Sequence, residues 1–256
     1  MVPELIDDDP RQGLGISEPL WTLAIDGRKG LSTLTQFMNA RENMYELVYF
    51  HKTLRSASVL LRNIFVRAAR VRKIGQNIPL LNDTFDKLFS RIPLSIDEYV
   101  SLDDGAVWEQ IKIFSSNKCE DIVLKKLSSD FLSRRYFKVF MVRPDLFFTL
   151  KNLAEEKNNY LSAIISAKKG IPVDDCWSFY GFDEAIFNKV GRTPTQARDS
   201  VWILDEGIEG HRFTSLHEHV RKNQGKIEES HYYLAVDDSV VDEINLVVER
   251  LSPSYS

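Results

Sequence analysis

Apolar residues recur at helical spacing through the first half of the chain. Residues 41–73 hold no proline or glycine, and Leu47, Phe50, Leu54, Ala57, Leu61, Ile64, Phe65, Ala68 and Val71 share one broad face at about 100° per residue. One helix or two abutting helices cover this stretch, and Gly75 and Pro79 end it. Upstream, Pro3, Pro10, Gly13 and Gly15 punctuate residues 1–16 as a loop. Ser17-Glu18-Pro19 then opens a short helix through residues 20–24, and Gly27 and Gly30 mark a turn before a helix from Leu31. Downstream, the spacing predicts helices over residues 82–89, 103–114 and 120–134. Ser95 and Glu98 form a capping box for one turn of helix at Tyr99-Val100.

The pattern changes near residue 136. Tyr136-Phe137-Lys138-Val139-Phe140-Met141-Val142 is rich in strand formers and stops at Pro144, which opens a helix over residues 144–157. Further strands are predicted at 176–180, 200–204 and 231–236, with a turn at Asp205-Glu206-Gly207. Helices follow at 216–222 and 239–251, and residues 252–256 form a frayed tail. The reading is a mainly α protein with a smaller α+β part: a helical region over 1–135, then a small mixed-sheet domain over 136–256.

Composition changes this picture little. The chain has 256 residues and a net charge of -4, so there is no global case for nucleic acid or an anionic membrane. No apolar run approaches the length of a membrane span, and the acidic, proline-interrupted start is opposite to a signal peptide. Cys119 and Cys176 match no zinc or redox spacing and read as free thiols in a reducing compartment. The expected localisation is cytoplasmic.

Local charge is more informative. From Leu47 to Asn82 there is no Asp or Glu, although the protein as a whole is acidic. On a straight helix, Arg41, Lys52, Arg55, Arg62, Arg70 and Lys73 fall within an arc of about 80°. Guanidinium and ammonium groups arrayed this way attract polyphosphate or nucleic acid. A stripe chosen by composition alone is more often a solvated face, or one paired with acids elsewhere such as those near Asp7 or Asp103.

The motif within the stripe weighs against that bland reading. Ala40-Arg41, Met44-Tyr45 and Val48-Tyr49-Phe50-His51-Lys52 resemble the phosphate-gripping helix of HD-domain nucleotide phosphohydrolases, closest to the deoxynucleoside-triphosphate triphosphohydrolases. Ser95-Ile96-Asp97-Glu98-Tyr99, Leu102-Asp103-Asp104 and Arg134-Arg135-Tyr136-Phe137-Lys138 follow the same family's order. The resemblance implies substrate contacts at Arg41, Tyr49, His51 and Lys52, with Arg55, Arg62, Arg70 and Lys73 as a basic extension. His51 falls at the edge of the apolar face, where a histidine is more often a core residue than a ligand.

The same family binds its metal through a His, a His-Asp pair and a further Asp placed before this helix, and the metal activates water for attack on phosphorus. Here none of the five histidines is followed by Asp, and none precedes His51. The chain therefore reads as the C-terminal portion of such an enzyme, with no catalytic or metal-binding residue and no cofactor of its own. A divalent metal is expected only with an HD-bearing chain or segment. The resemblance also implies a homo-oligomer and a nucleotide polyphosphate as ligand. The alternative is a non-catalytic nucleotide- or nucleic-acid-binding or oligomerisation module.

Other chemistry is weaker. His217 and His219 point about 200° apart on the predicted helix and cannot easily share an ion with each other. Gly191-Arg192-Thr193-Pro194-Thr195 lacks the spacing of a phosphate loop, and no serine or cysteine sits in a nucleophile context. Asp237-Asp238 reads as a strand-end turn or cap, and Trp177, Phe179 and Tyr180 read as core rather than a base-stacking platform.

Overall fold

The computed structural model describes residues 24–155, 160–188, 201–207, 210–224 and 228–251. In chain order the elements are β1 (Ala24–Asp26), α1 (Leu31–Met44), a π-helical segment (Tyr45–Tyr49), α2 (Lys52–Lys73), α3 (Asp83–Phe89), α4 (Ile96–Val100), α5 (Asp104–Ser115) and α6 (Ile122–Leu132). There follow β2 (Lys138–Val142), α7 (Pro144–Glu155), α8 (Tyr160–Lys169), a 3-10 helix (Val173–Phe179), β3 (Tyr180–Asn188), β4 (Trp202–Gly207), β5 (Gly210–Ser215) and α9 (Leu216–Gln224). The chain closes with β6 (Glu228–Val236), a 3-10 turn (Asp238–Val240) and α10 (Val241–Leu251). The protein is thus mainly helical with two small three-stranded sheets. Among the described residues no helix is long and apolar enough to cross a membrane.

Contacts group the chain into two units, one of residues 1–49 and 185–230 and one of residues 50–184 and 231–256. The boundary expected at 135/136 falls inside the second unit, whose single core draws on residues from both sides of it.

In the first unit, β1 runs parallel to β4 in the register Ala24↔Trp202 to Asp26↔Leu204, and β4 pairs antiparallel with β5. Asp26 Oδ1 accepts from the Arg28 and Lys29 amides at 2.8 and 3.1 Å, which turns the chain from β1 toward α1. Those amide donors, Lys29 first, hold its carboxyl below the usual range. Met38, Ile203, Leu216 and Val220 form the buried centre, with Leu31 and Leu34 packed against it. Leu31, Leu34 and Met38 lie at helical spacing on one face of α1.

The second unit is built around α2. Leu60, Ile64, Ala68 and Val71 recur at three- and four-residue intervals and are 1% exposed or less. They join a cluster that includes Phe85, Phe114, Leu124, Leu127, Ile165 and Leu234. Side-chain caps start the surrounding helices: Asn82 for α3, Asp103 for α5 and Asp121 for α6, each accepting from the third amide beyond it. Such caps contribute about 1 kcal/mol each. The Ser95/Glu98 capping box of α4 is present in full. Strand β2 pairs antiparallel with β6 from Lys138↔Val236 to Val142↔Tyr232, in a sheet of order β2-β6-β3.

Several elements depart from expectation. Of the two arrangements expected over residues 41–73, the structure has abutting helices and not one straight helix: α1 passes into the π-helical segment, and His51 breaks the chain with ψ 132 before α2 begins. His51 Nδ1 accepts from the Thr53 amide at 3.2 Å, so the histidine acts as the N-cap of α2. An arc containing both Arg41 and the arginines of α2 therefore does not exist on one helix. Residues 176–179 form 3-10 helix rather than strand, after Pro172 at its N-cap, and the strand starts only at Tyr180. Residues 205–207 continue β4 to Gly207↔Gly210 instead of turning. Ala24 opens β1 rather than ending a helix. Helix α8 and strand β5 had no counterpart in the sequence reading. The loop at 1–16, the helix from Ser17, the 191–195 segment and the tail lie outside the described residues.

Candidate functional site

The body of α2 lies along residues 174–183, and its polar side chains bond that segment in sequence. Arg70 donates to Asp174 O at 3.0 Å and sits over the Trp177 ring. Asn63 Nδ2 donates to Ser178 O and Tyr180 O at 3.2 and 2.8 Å. Arg62 donates to Phe182 O at 3.0 Å, and Arg55 reaches Asp183 at 3.3 Å. Deeper in, Arg67 forks onto both carboxylate oxygens of Asp121 at 3.1 and 2.7 Å and also bonds Asp175. Burial works against its charge, but the two carboxylates outweigh burial and raise its pKa. Arg72 pairs with Asp86. The seam allows close approach at Gly181, where a Cβ would fall 2.6 Å from Val59 and 2.9 Å from the Arg62 guanidinium.

The first turn of α2 is different. A cleft of about 480 Å³ opens beside it, lined by Lys52, Arg134 and Lys138 with Tyr136, Phe140 and Val241. No acid lies in the first turn of this 22-residue helix, so Lys52 stands at the positive end of the dipole. Lys52 and Arg134 make no ion pair or side-chain hydrogen bond among the described residues. Lys138 has only a 3.7 Å approach to Asp238, with both side chains largely exposed. Arg134 holds a left-handed backbone, φ 56, at the end of α6. The Arg134 and Arg135 amides donate to Phe131 O and Asp130 O, closing a helix end where glycine is the usual residue. Arg134 and Lys138 were visible in the sequence as part of a family-like run, but nothing in their spacing brings them to Lys52.

The four residues expected at substrate divide between the units. Lys52 lines the cleft, and His51 caps the helix beside it. In the other unit, Arg41 donates to Asn188 O at 2.8 Å and lies 5.2 Å from the centres of the Tyr45 and Phe187 rings. Tyr49 packs on Tyr45 at 4.9 Å. Of the basic extension, Arg55, Arg62 and Arg70 belong to the seam, and Lys73 is exposed at the last turn.

An HD metal centre would need a His, a His-Asp pair and a further Asp to converge among the described residues. Among them, no group containing a histidine gathers three ligand atoms within 4.8 Å of one another; Glu42, Glu46 and Glu229 do so as carboxylates alone. His217 and His219 lie on α9, where helical geometry separates them, and burial holds His217 below the usual imidazole pKa. The described residues do not fit a His, His-Asp, Asp set. Cys119 and Cys176 are buried free thiols, and burial raises the pKa of both, which keeps them protonated and unreactive. Phe179 and Tyr180 are buried, Trp177 packs against the main core, and Asp237 caps the 3-10 turn through Ser239.

No family model matches the chain. The uncharacterized protein YwfO of Bacillus subtilis is 25% identical over 174 residues, 65% of this chain and 39% of YwfO. Among solved structures, a phosphohydrolase from Bacteroides thetaiotaomicron matches with TM-score 0.60 and 22% identity over 86% of this chain and 53% of that one. A hypothetical protein from Aquifex aeolicus gives TM-score 0.50 and 18% identity over 86% of this chain and 45% of its own. The chain therefore shares a phosphohydrolase-like fold, and spans 39% to 53% of the length of these proteins.

Proposed function

We propose that this chain supplies the polyphosphate-binding part of an HD-type, metal-dependent nucleotide phosphohydrolase that acts on deoxynucleoside triphosphates, and that it does not hydrolyse them alone. One observation carries the reading: Lys52, Arg134 and Lys138 line one cleft beside the first turn of α2, which holds no acid. Like charges gathered at a positive helix end are unfavourable until an anion joins them. Lys52 and Lys138 act as point charges, and the Arg134 guanidinium grips two oxygens of one phosphate. Tyr136 and Phe140 offer flat apolar surface to a sugar or base. Arg41, Tyr49 and His51 are assigned to the substrate by the motif. None of the five histidines is followed by Asp, which supports a reading in which the metal ligands for hydrolysis come from elsewhere.

Titration calorimetry with dATP and with inorganic tripolyphosphate tests this. Lys52→Ala and Arg134→Gly are each expected to weaken both ligands about tenfold, the scale of one charge-assisted contact. Unchanged affinity in both variants overturns the cleft. Metal-dependent phosphate or triphosphate release by the purified chain overturns its dependence on outside ligands. Nucleic-acid binding along α2 has less support, because Arg55, Arg62 and Arg70 would have to leave partners within the protein.

A further inference from the structure

A second cleft, of about 610 Å³, lies in the same unit beyond the last turn of α2. Its walls are Gln76 and Asn77 after α2, residues 120–123 at the start of α6, and residues 170–172 after α8, with Arg67 and Asp175. The volume falls within the roughly 300–1,000 Å³ of small-molecule sites. Its charge is opposite to that of the cleft at Lys52. Three carboxylates, of Glu120, Asp121 and Asp175, line it with one guanidinium, that of Arg67, which leaves two negative charges. Arg67 takes both oxygens of Asp121 but only one of Asp175. The second Asp175 oxygen and the whole Glu120 carboxylate have no ion pair or hydrogen bond among the described residues. The exposed side-chain amides of Gln76 and Asn77 are likewise unbonded among them.

Helices α2 and α8 both end at this cleft, and the partial negative charge of a helix carboxyl end adds to that of the acids. The amino end of α6 is already capped by Asp121. The cations in the last turns of α2 and α8 do not line the cleft: Arg72 is held by Asp86, Lys168 by Glu243 and Lys169 by Asp237, and Arg70 donates to Asp174 O. A cation is therefore the favoured ligand. A metal ion is not, because among the described residues the carboxylates that gather three ligand atoms are Glu42, Glu46 and Glu229, none of them here. Ile122, 80% exposed, lines the cleft with Ile171 and Pro172 and offers apolar wall to a methylene chain. We propose that this cleft binds an aliphatic diamine. One ammonium joins the free oxygen of Asp175, the other joins Glu120, and the methylenes lie on Ile122 and Ile171. Two unbonded carboxylates call for two ammonium groups, whereas a lysine side chain brings one.

Equilibrium dialysis of the full chain against radiolabelled 1,4-diaminobutane and 1,5-diaminopentane, at low ionic strength, tests the cleft. One equivalent of diamine is expected to bind, and 1-butylamine to bind about tenfold more weakly for want of the second charge-assisted contact. Glu120→Gln alters an exposed side chain and is expected to weaken the diamine about tenfold, down to the level of butylamine, with an unchanged circular dichroism spectrum. Asp97→Asn, an exposed acid on α4 outside the cleft, is expected to leave binding as it is. No diamine bound at millimolar concentration overturns the proposal. Displacement by an equal concentration of magnesium chloride also overturns it, since diffuse attraction to acids then accounts for the binding. Nα-acetyl-lysine methylamide held as tightly as the diamine overturns it as well, and gives the cleft to a lysine side chain.

Discussion

The body and the first turn of α2 are both basic, yet they differ in where their counter-charges lie. From Arg55 to Arg72 each arginine bonds a carboxylate or carbonyl of its own chain. At the first turn, Lys52 and Arg134 line one cleft with no such partner among the described residues. A cation whose partner is internal holds the fold together, whereas one left without a partner is available to a ligand. Sign and spacing are the same in both regions, so neither separates them.

The strongest way to break this contrast is Arg67→Ala. It strands Asp121 and Asp175 in the seam and is expected to cost about 3–5 kcal/mol, read by urea denaturation. If stability barely changes, the seam is not structural. Asn63→Ala comes next, because it leaves the Ser178 and Tyr180 carbonyls without their donor. The same melt should show a loss of about 2–3 kcal/mol. Third, Arg134→Gly relieves a left-handed arginine and is expected to raise stability by about 0.5 kcal/mol while weakening polyphosphate binding. Arg91→Gly, at the equivalent end of α3 with φ 57, should give a similar gain with binding intact. Opposite movement of stability and affinity in Arg134→Gly alone would sharpen the contrast.

A modest, pH-dependent effect concerns a matched cation outside α2. The Lys169 ammonium lies 2.8 Å from Asp237 and 4.6 Å from the centre of the Phe179 ring. Burial raises the Asp237 carboxyl pKa, but Lys169 and Ser239 outweigh burial and leave it below 3.8. A carboxylate with a depressed folded pKa contributes stability above its unfolded pKa and loses it as pH falls through the folded value. The stability difference between wild type and Asp237→Asn is therefore expected to be about 1 kcal/mol near neutrality and to be lost as pH falls through the depressed folded value.

Much of the helical part was legible because its signals are local. Asn82, Ser95 with Glu98, Asp103 and Asp121 sit immediately before apolar runs and cap the helices found there. The break at His51 was not legible. It carries neither proline nor glycine, and the Phe50 carbonyl beside it finds the Tyr233 hydroxyl at 3.5 Å, far along the chain. The basic stripe was visible as composition, but the partners of Arg55, Arg62 and Arg70 lie 104 to 128 positions away, beyond any sequence period. Arg134 and Lys138 share a cleft with Lys52 in the fold, where β2 packs against α2.

The strand order β2-β6-β3 has a consequence for synthesis. The middle strand is the last of the three to be made, so a ribosome delivers β2 and β3 with a gap between them. Until residues 228–236 emerge, Leu234 and Val236 are missing from the core, and both inner edges present bare amides and carbonyls to any neighbouring nascent chain. The fold of the second unit is therefore completed only after residues 228–236 have been made. A premature stop shortly before residue 228 removes the centre of this sheet, not its rim.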